Sequence, residues 1–169
     1  MSEQARKKDQ IKVIWLSLLV ALLAMNYYWF KSPITIAFDP NDEKCLEDVH
    51  LSVLIKNSAA SVERGQMLFW EPNGPLGYIK QAYVMKVAAG LPGDRLQIKD
   101  QTVSINGKIV AIGLPLVDTT KVPLKAFERD EVIPAGHVFM MGTNPMSYDS
   151  RYWGYLSLKE VVGRGYKIL

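Results

Sequence analysis

Cysteine and histidine are scarce in this chain. Its 169 residues include one cysteine, Cys45, and two histidines, His50 and His137. A single cysteine cannot form a disulfide within the chain. Two histidines far apart in sequence have no metal-ligand spacing, so neither a metal nor another cofactor is expected. His137, in Pro134-Ala-Gly-His137, reads as a strand-start residue rather than a catalyst. There is no Walker-type phosphate loop, no internal repeat and no low-complexity segment. Net charge is only +3. No cluster of basic and aromatic residues marks a nucleic-acid surface, so no nucleic-acid partner is expected.

One long run without charge is present. From Val13 to Phe30 the only polar side chains besides the aromatics are Ser17 and Asn26. About 20 apolar residues span a bilayer as a helix, and Ile11 or Ser32 can extend this run to that length. Tyr27, Tyr28 and Trp29 cluster at its C-terminal end, as at a membrane interface. Tyr-Tyr-Trp-Phe-Lys stands where a cleaved signal peptide would carry small residues, so the run reads as an uncleaved anchor. Arg6, Lys7, Lys8 and Lys12 precede it, whereas Asp39, Asp42 and Glu43 follow. The positive-inside rule then gives a cytoplasmic tail over 1–10, a transmembrane helix over 11–31 and an extracytoplasmic domain over 32–169. In a Gram-negative cell this is a single-pass inner-membrane protein with a periplasmic domain.

Residues 32–169 read as mainly β. Strands are expected at Ile34–Phe38, Val49–Lys56, Gln66–Trp70, Tyr78–Ala88, Arg95–Lys99, Thr102–Ile105 and His137–Met141, from their alternation and β-branched or aromatic content. Glu71-Pro-Asn-Gly-Pro75 is a turn cluster, Asp100-Gln101 a tight turn, and Asn106-Gly107 a type I′ hairpin signal. The stretch from Gly113 to Glu131 has little periodicity and reads as a long loop. Ser157-Leu-Lys-Glu160 fits a capping box, which predicts a short helix. Tyr166–Leu169 is expected to close the sheet. Many short strands with regular turns predict an antiparallel β-barrel or folded sheet.

Two polar constellations stand out. In a strand, residues 84, 86 and 88 share one face. Lys86 thus lies between Val84 and Ala88, and a lysine enclosed by apolar side chains is suited to act as a general base. At a sheet edge it would instead snorkel to water. The second constellation is Gly142-Thr-Asn-Pro-Met-Ser147-Tyr-Asp149-Ser-Arg151-Tyr-Trp-Gly154, in which an Asp/Arg pair can fix a loop.

Lys86-Val-Ala-Ala-Gly-Leu-Pro-Gly-Asp94 together with Ser147-Tyr-Asp149-Ser-Arg151 resembles the type I signal peptidase family, serine proteases that use lysine as general base. The resemblance covers roughly 45–165 and is strongest over 80–107 and 134–164. It implies a signal-peptidase-like β fold with one N-terminal transmembrane helix. Ser147 then matches the hydroxyl that bonds the lysine amine, and Asp149 and Arg151 match a salt-bridged pair shaping the site. The last box departs from the family, reading Gly142-Thr-Asn-Pro145 where Gly-Asp-Asn-Arg is usual.

The family's Ser-Met-x-Pro nucleophile box is missing, as is the looser Ser-x-Pro of the branch that processes pilins for conjugative transfer. Val62-Glu-Arg-Gly65-Gln66 resembles the family's Arg-Gly-Asp turn. Counting back from it with the spacing of that conjugative branch, the resemblance puts the serine position at or near Cys45, followed by Leu46. A thiol beside a lysine is a reasonable nucleophile. A small buried apolar cysteine is the alternative, and Ser52, Ser58 and Ser61 are fallback nucleophiles. The position two residues before Cys45, where the family often carries an oxyanion-stabilising hydroxyl, holds Glu43.

The resemblance implies cleavage of an extended peptide, bound by strand addition at the membrane surface, with Val84 and Ala88 as pocket walls. The expected function is processing of a prepilin or similar secreted substrate for conjugation or type IV secretion, with other conjugation proteins as partners. A cysteine nucleophile extends the expectation to transpeptidation that closes a pilin into a ring. A non-catalytic membrane-anchored subunit of the secretion apparatus and a general signal peptidase remain as alternatives.

Overall fold

The computed structural model describes residues 13–25, 28, 32–39, 44–56, 61–79 and 83–169. The chain divides into two units, Met1–Pro33 and Ile34–Leu169. In the first, residues 13–25 form a helix, α1, whose side chains are all exposed. Its one polar side chain, Ser17, turns back to donate to the Ile14 carbonyl at 2.8 Å. Among the described residues no helix is long and apolar enough to cross a membrane. The expected tail over 1–10, the rim residues Tyr27 and Trp29, and Glu43 lie outside the described residues.

The second unit is mainly β, as its alternation predicts. Seven strands form one antiparallel sheet in the order β1 (Ile34–Phe38), β2 (Leu51–Lys56), β11 (Val161–Lys167), β3 (Met67–Trp70), β4 (Val84–Gly90), β9 (His137–Met141) and β10 (Leu156–Ser157). Four more form a second sheet in the order β7 (Lys108–Ile112), β6 (Thr102–Ile105), β5 (Arg95–Lys99) and β8 (Arg129–Val132). Both sheets are open among the described residues. The barrel alternative is thereby corrected, because β1 and β10 end one sheet, β7 and β8 end the other, and no pairing joins these edges.

Local chemistry sets the turns. Asp100 and Gln101 take φ of 48° and 61°, and Asn106 and Gly107 take 52° and 77°. These left-handed pairs are what two-residue hairpins need to match strand twist. The Gly113–Glu131 stretch is more ordered than its sequence predicts. It contains α2 (Val117–Thr120), a 3-10 turn (Leu124–Phe127) and the first residues of β8. Leu114 and Phe127 are buried against Leu96, Ile98, Val103 and Ile105 of the second sheet.

The helix predicted from Ser157 does not form. One of its two capping-box bonds does: Ser157 N–H donates to the Glu160 carboxylate at 3.2 Å, while Ser157 Oγ accepts from Lys159 N–H at 3.3 Å and Glu160 N–H goes to the Ser157 carbonyl. They close one turn between β10 and β11. Val161 and Val162 then favour strand, and pairing of β11 with both β2 and β3 overrides the local signal.

Candidate active site

β4 positions the lysine. Its burial alternates, with Val84, Lys86, Ala88 and Gly90 inward. Lys86 is 1% exposed and pairs across to Leu68 of β3, itself fully buried. An amine placed there needs a polar partner. Lys86 Nζ donates to Ser147 Oγ at 2.8 Å. Ser147 comes from the loop between β9 and α3 (Ser150–Trp153), and is itself buried.

That loop is held by an internal ion pair. Asp149 caps α3, accepting from Arg151 N–H at 3.2 Å, and also accepts from Gly142 N–H at 3.0 Å. Arg151 grips the carboxylate with two bonds, Nε to Oδ1 at 2.8 Å and Nη2 to Oδ2 at 2.9 Å. Its Nη2 also donates to the carbonyls of Ser147 at 3.0 Å and Pro145 at 3.1 Å. Burial opposes the Arg151 charge, but the hydrogen bonds and the charge of Asp149 outweigh it and hold the guanidinium above its ordinary range. Breaking such a buried pair by removing one partner typically costs about 3–5 kcal/mol. The pair therefore fixes the path of the backbone that presents Ser147.

Cys45 reaches the same loop through its backbone. Its carbonyl accepts from Asn144 N–H at 3.2 Å, and two residues on Glu47 N–H donates to Thr143 Oγ1 at 2.9 Å. Gly142 lies between the two partners. A Cβ there would collide with Ser147 Oγ and stand 2.5 Å from the Cys45 carbonyl oxygen. Cys45 is half-buried. Its neighbour Leu46 is 5% exposed and anchors the segment. Lys44 Nζ and His50 Nδ1 share a hydrogen bond beside it.

The structure thus assembles Lys86, Ser147, Asp149, Arg151 and the Cys45 backbone around one loop. Val84 and Ala88 pack in the core with Leu68, Trp70, Val138 and Met140. At 9% and 0% exposure they lie inside that core rather than on a solvent-facing wall. Ser52, 2% exposed on β2, is three strands from β4, a separation of roughly 14 Å at about 4.8 Å per strand. Ser61 meets the Arg164 side chain through its carbonyl, and Ser58 lies outside the described residues. Among the described residues no group of three or more His, Cys, Asp or Glu side chains is arranged to hold a metal ion.

Three contributors escaped the sequence reading. Gly142 sits in the quoted box, but only the fold shows what its missing side chain permits. Ser150 Oγ accepts from Met140 N–H at 2.8 Å, tying α3 to β9. Tyr78 follows the 3-10 turn Gly74–Leu76, and its sequence context pointed only to the start of a strand. Partial burial first, then the charges of Tyr148 and Cys45, push its hydroxyl above the ordinary tyrosine range.

A family model described as "Signal peptidase, peptidase S26" matches residues 7–168. The signal peptidase I of Bacillus caldolyticus is 33% identical over 97 residues, 50% of this chain and 52% of that protein. A probable signal peptidase I-2 of Synechocystis is 29% identical over 108 residues, 62% of this chain and 46% of that protein. The chain thus spans about half the length of these two relatives. Signal peptidase IB of Staphylococcus aureus is 24% identical over 174 residues, 94% of this chain and 88% of that protein. A crystal structure of a signal peptidase I from Enterococcus faecalis V583 is 25% identical, covers 62% of this chain and 96% of that one, and has a TM-score of 0.39.

Proposed function

The chain belongs to the peptidase S26 signal peptidase family, and from that membership we propose that it is a lysine-dependent peptidase cleaving an extended segment of a secreted substrate at a membrane surface. The observation that carries the proposal is the buried 2.8 Å contact of Lys86 Nζ with Ser147 Oγ, on the loop that also receives the Cys45 carbonyl. A buried lysine held by one hydroxyl is arranged to take a proton from a neighbouring nucleophile.

Cys45 is the proposed nucleophile. Lys86 removes the thiol proton, and sulfur attacks the scissile carbonyl carbon. The tetrahedral intermediate collapses by breaking the C–N bond, the Lys86 ammonium gives its proton to the departing amine, and a thioester remains. Water, deprotonated by Lys86, attacks the thioester to give a free carboxyl terminus and restore the thiol. An amine attacking instead makes a new amide. The narrower reading, a prepilin of a conjugative or type IV secretion system and its closure into a ring, rests on cysteine standing where the family has serine. The names of the relatives favour the broader role of a general signal peptidase.

Membrane placement is part of the proposal, with the N-terminus cytoplasmic and the β unit on the far side of a bacterial inner membrane. Residues 13–25 are apolar on every side and exposed, as suits a helix solvated by lipid. Ile34, Ile36, Phe38, Tyr166 and Ile168 are 48–68% exposed. Ile36, Val53 and Tyr166 are register partners across β1, β2 and β11, so they share one face of the sheet. Contiguous exposed apolar surface of this kind marks a partner or lipid contact.

The test is intact mass of a co-expressed prepilin or secretory precursor with wild type, Cys45→Ala and Lys86→Ala. A shortened product with wild type alone supports the enzyme and both roles. A product lighter by one water than the linear fragment identifies the cyclase. Equal processing by Cys45→Ala overturns the thiol mechanism, and equal processing by Lys86→Ala overturns the peptidase reading.

A further inference from the structure

We propose that a hollow at the end of β11 holds the phosphate headgroup of an anionic phospholipid, with Lys167 as its principal charge. The inference rests on the membrane placement above and extends it to a lipid class.

Strand lengths create the hollow. β3 begins at Met67, which pairs with Gly165, whereas β11 continues through Lys167. Tyr166 and Lys167 pair with Val53 and Ser52 of β2 on one side and have no β3 residue opposite on the other. The missing strand leaves a cavity of about 310 Å³, walled by Gly65, Gln66 and Met67 and by the β11 segment from Arg164 to Lys167. Among the described residues its lining includes two basic side chains, Arg164 and Lys167, and no acidic one. A Cβ on Gly65 would meet nothing within 4 Å, so the turn leaves room for a ligand. The Arg164 guanidinium is already anchored at the rim, on the Ser61 carbonyl.

The neighbouring surface selects lipid over a soluble phosphate. Tyr166, which helps to line the hollow, is 48% exposed, and Ile168 beyond it is 49% exposed. A soluble anion would use the cations and leave this apolar rim in water. A phospholipid satisfies both, with its phosphate in the cavity and its chains along Tyr166, Ile168, Ile36 and Phe38. A tyrosine at that boundary matches the interfacial preference of amphipathic rings, and basic side chains there attract acidic headgroups.

The test uses the full chain in nanodiscs of phosphatidylcholine containing a minor fraction of phosphatidylglycerol. After mild detergent extraction, mass spectrometry reads the lipid retained. Wild type is expected to enrich phosphatidylglycerol about five-fold, the scale of one basic side chain near an acidic surface. Lys167→Ala should fall to the bulk ratio and Lys167→Arg should keep the enrichment; Lys167 is exposed, so neither change threatens the fold. Wild type at the bulk ratio, or enrichment kept by Lys167→Ala, overturns the inference. Displacement of the lipid by inorganic phosphate in the buffer also overturns it, by assigning the hollow to a soluble anion. Release of the chain from vesicles by carbonate washing overturns the membrane placement and the inference together, whereas retention without headgroup preference overturns the inference alone.

Discussion

The two sheets are both antiparallel and both enclose apolar cores, but they bury different chemistry. In the four-stranded sheet the buried side chains are Leu96, Ile98, Val103 and Ile105, and its ion pair, Arg95 with Asp130, stays outside with side chains 70% and 40% exposed. The seven-stranded sheet and its loops bury Ser52, Lys86, Ser147, Asp149, Ser150 and Arg151. Burying polar groups costs stability unless each finds a partner. That cost is taken where Lys86, Ser147, Asp149 and Arg151 must be held in one arrangement. One sheet is built for stability alone, and the other sacrifices some of it for a site.

The comparison breaks most sharply at Arg151. Arg151→Ala leaves the Asp149 carboxylate buried and four hydrogen bonds unmade, and should cost about 3–5 kcal/mol in denaturant unfolding. Lys86→Met separates site from scaffold. Cleavage should fall at least about 100-fold with loss of the proposed general base, while stability moves by about 1 kcal/mol, the value of one hydrogen bond. A fall of several kcal/mol would mean that Lys86 is a structural polar group. Gly142→Ala drives a methyl between Ser147 and the Cys45 carbonyl. Overpacking of this kind costs about 1–3 kcal/mol, and cleavage should drop with it.

Asp94 sharpens the comparison through pH. Burial alone would raise its carboxyl, but the Leu91 N–H, the Asn106 amide and Arg64 together hold it below the usual carboxylate range. A carboxylate with a lower value folded than unfolded contributes fully above the unfolded value. It loses that contribution as pH falls through the folded one. Asp94→Asn should therefore lower stability at neutral and alkaline pH, where that contribution is full, and flatten the acid limb of the stability curve. The smallest effect is expected at Arg95, whose pairing with Asp130 is open to solvent. Arg95→Ala should leave the unfolding midpoint where it is, since such pairs are screened.

Much of this was legible because it is local. The alternation around Lys86 placed 84, 86 and 88 inward, and Asn106-Gly107 formed the hairpin its residues demand. The box from Gly142 to Arg151 pointed to Ser147, Asp149 and Arg151, which the structure joins to one another and to Lys86. What escaped was set by distant pairing. Ser157–Glu160 carries a helix signal that β11 overrules. Leu114 and Phe127 look like loop residues until the sheet they cover exists. The meeting of Cys45 with Asn144 joins segments nearly a hundred residues apart, and no periodicity encodes it.

The place of β11 also bears on the order in which the sheet can close. β2 and β3 are successive in sequence, yet β11 lies between them in the sheet. A chain emerging from synthesis holds the Cys45 segment and the Lys86 strand before the strand that joins β2 to β3 has been made. Long-range pairing of this kind is slow, because loop closure comes before the contacts that reward it. The seven-stranded sheet is consequently completed only once residues 161–167 are available, after both the Cys45 segment and the Lys86 strand.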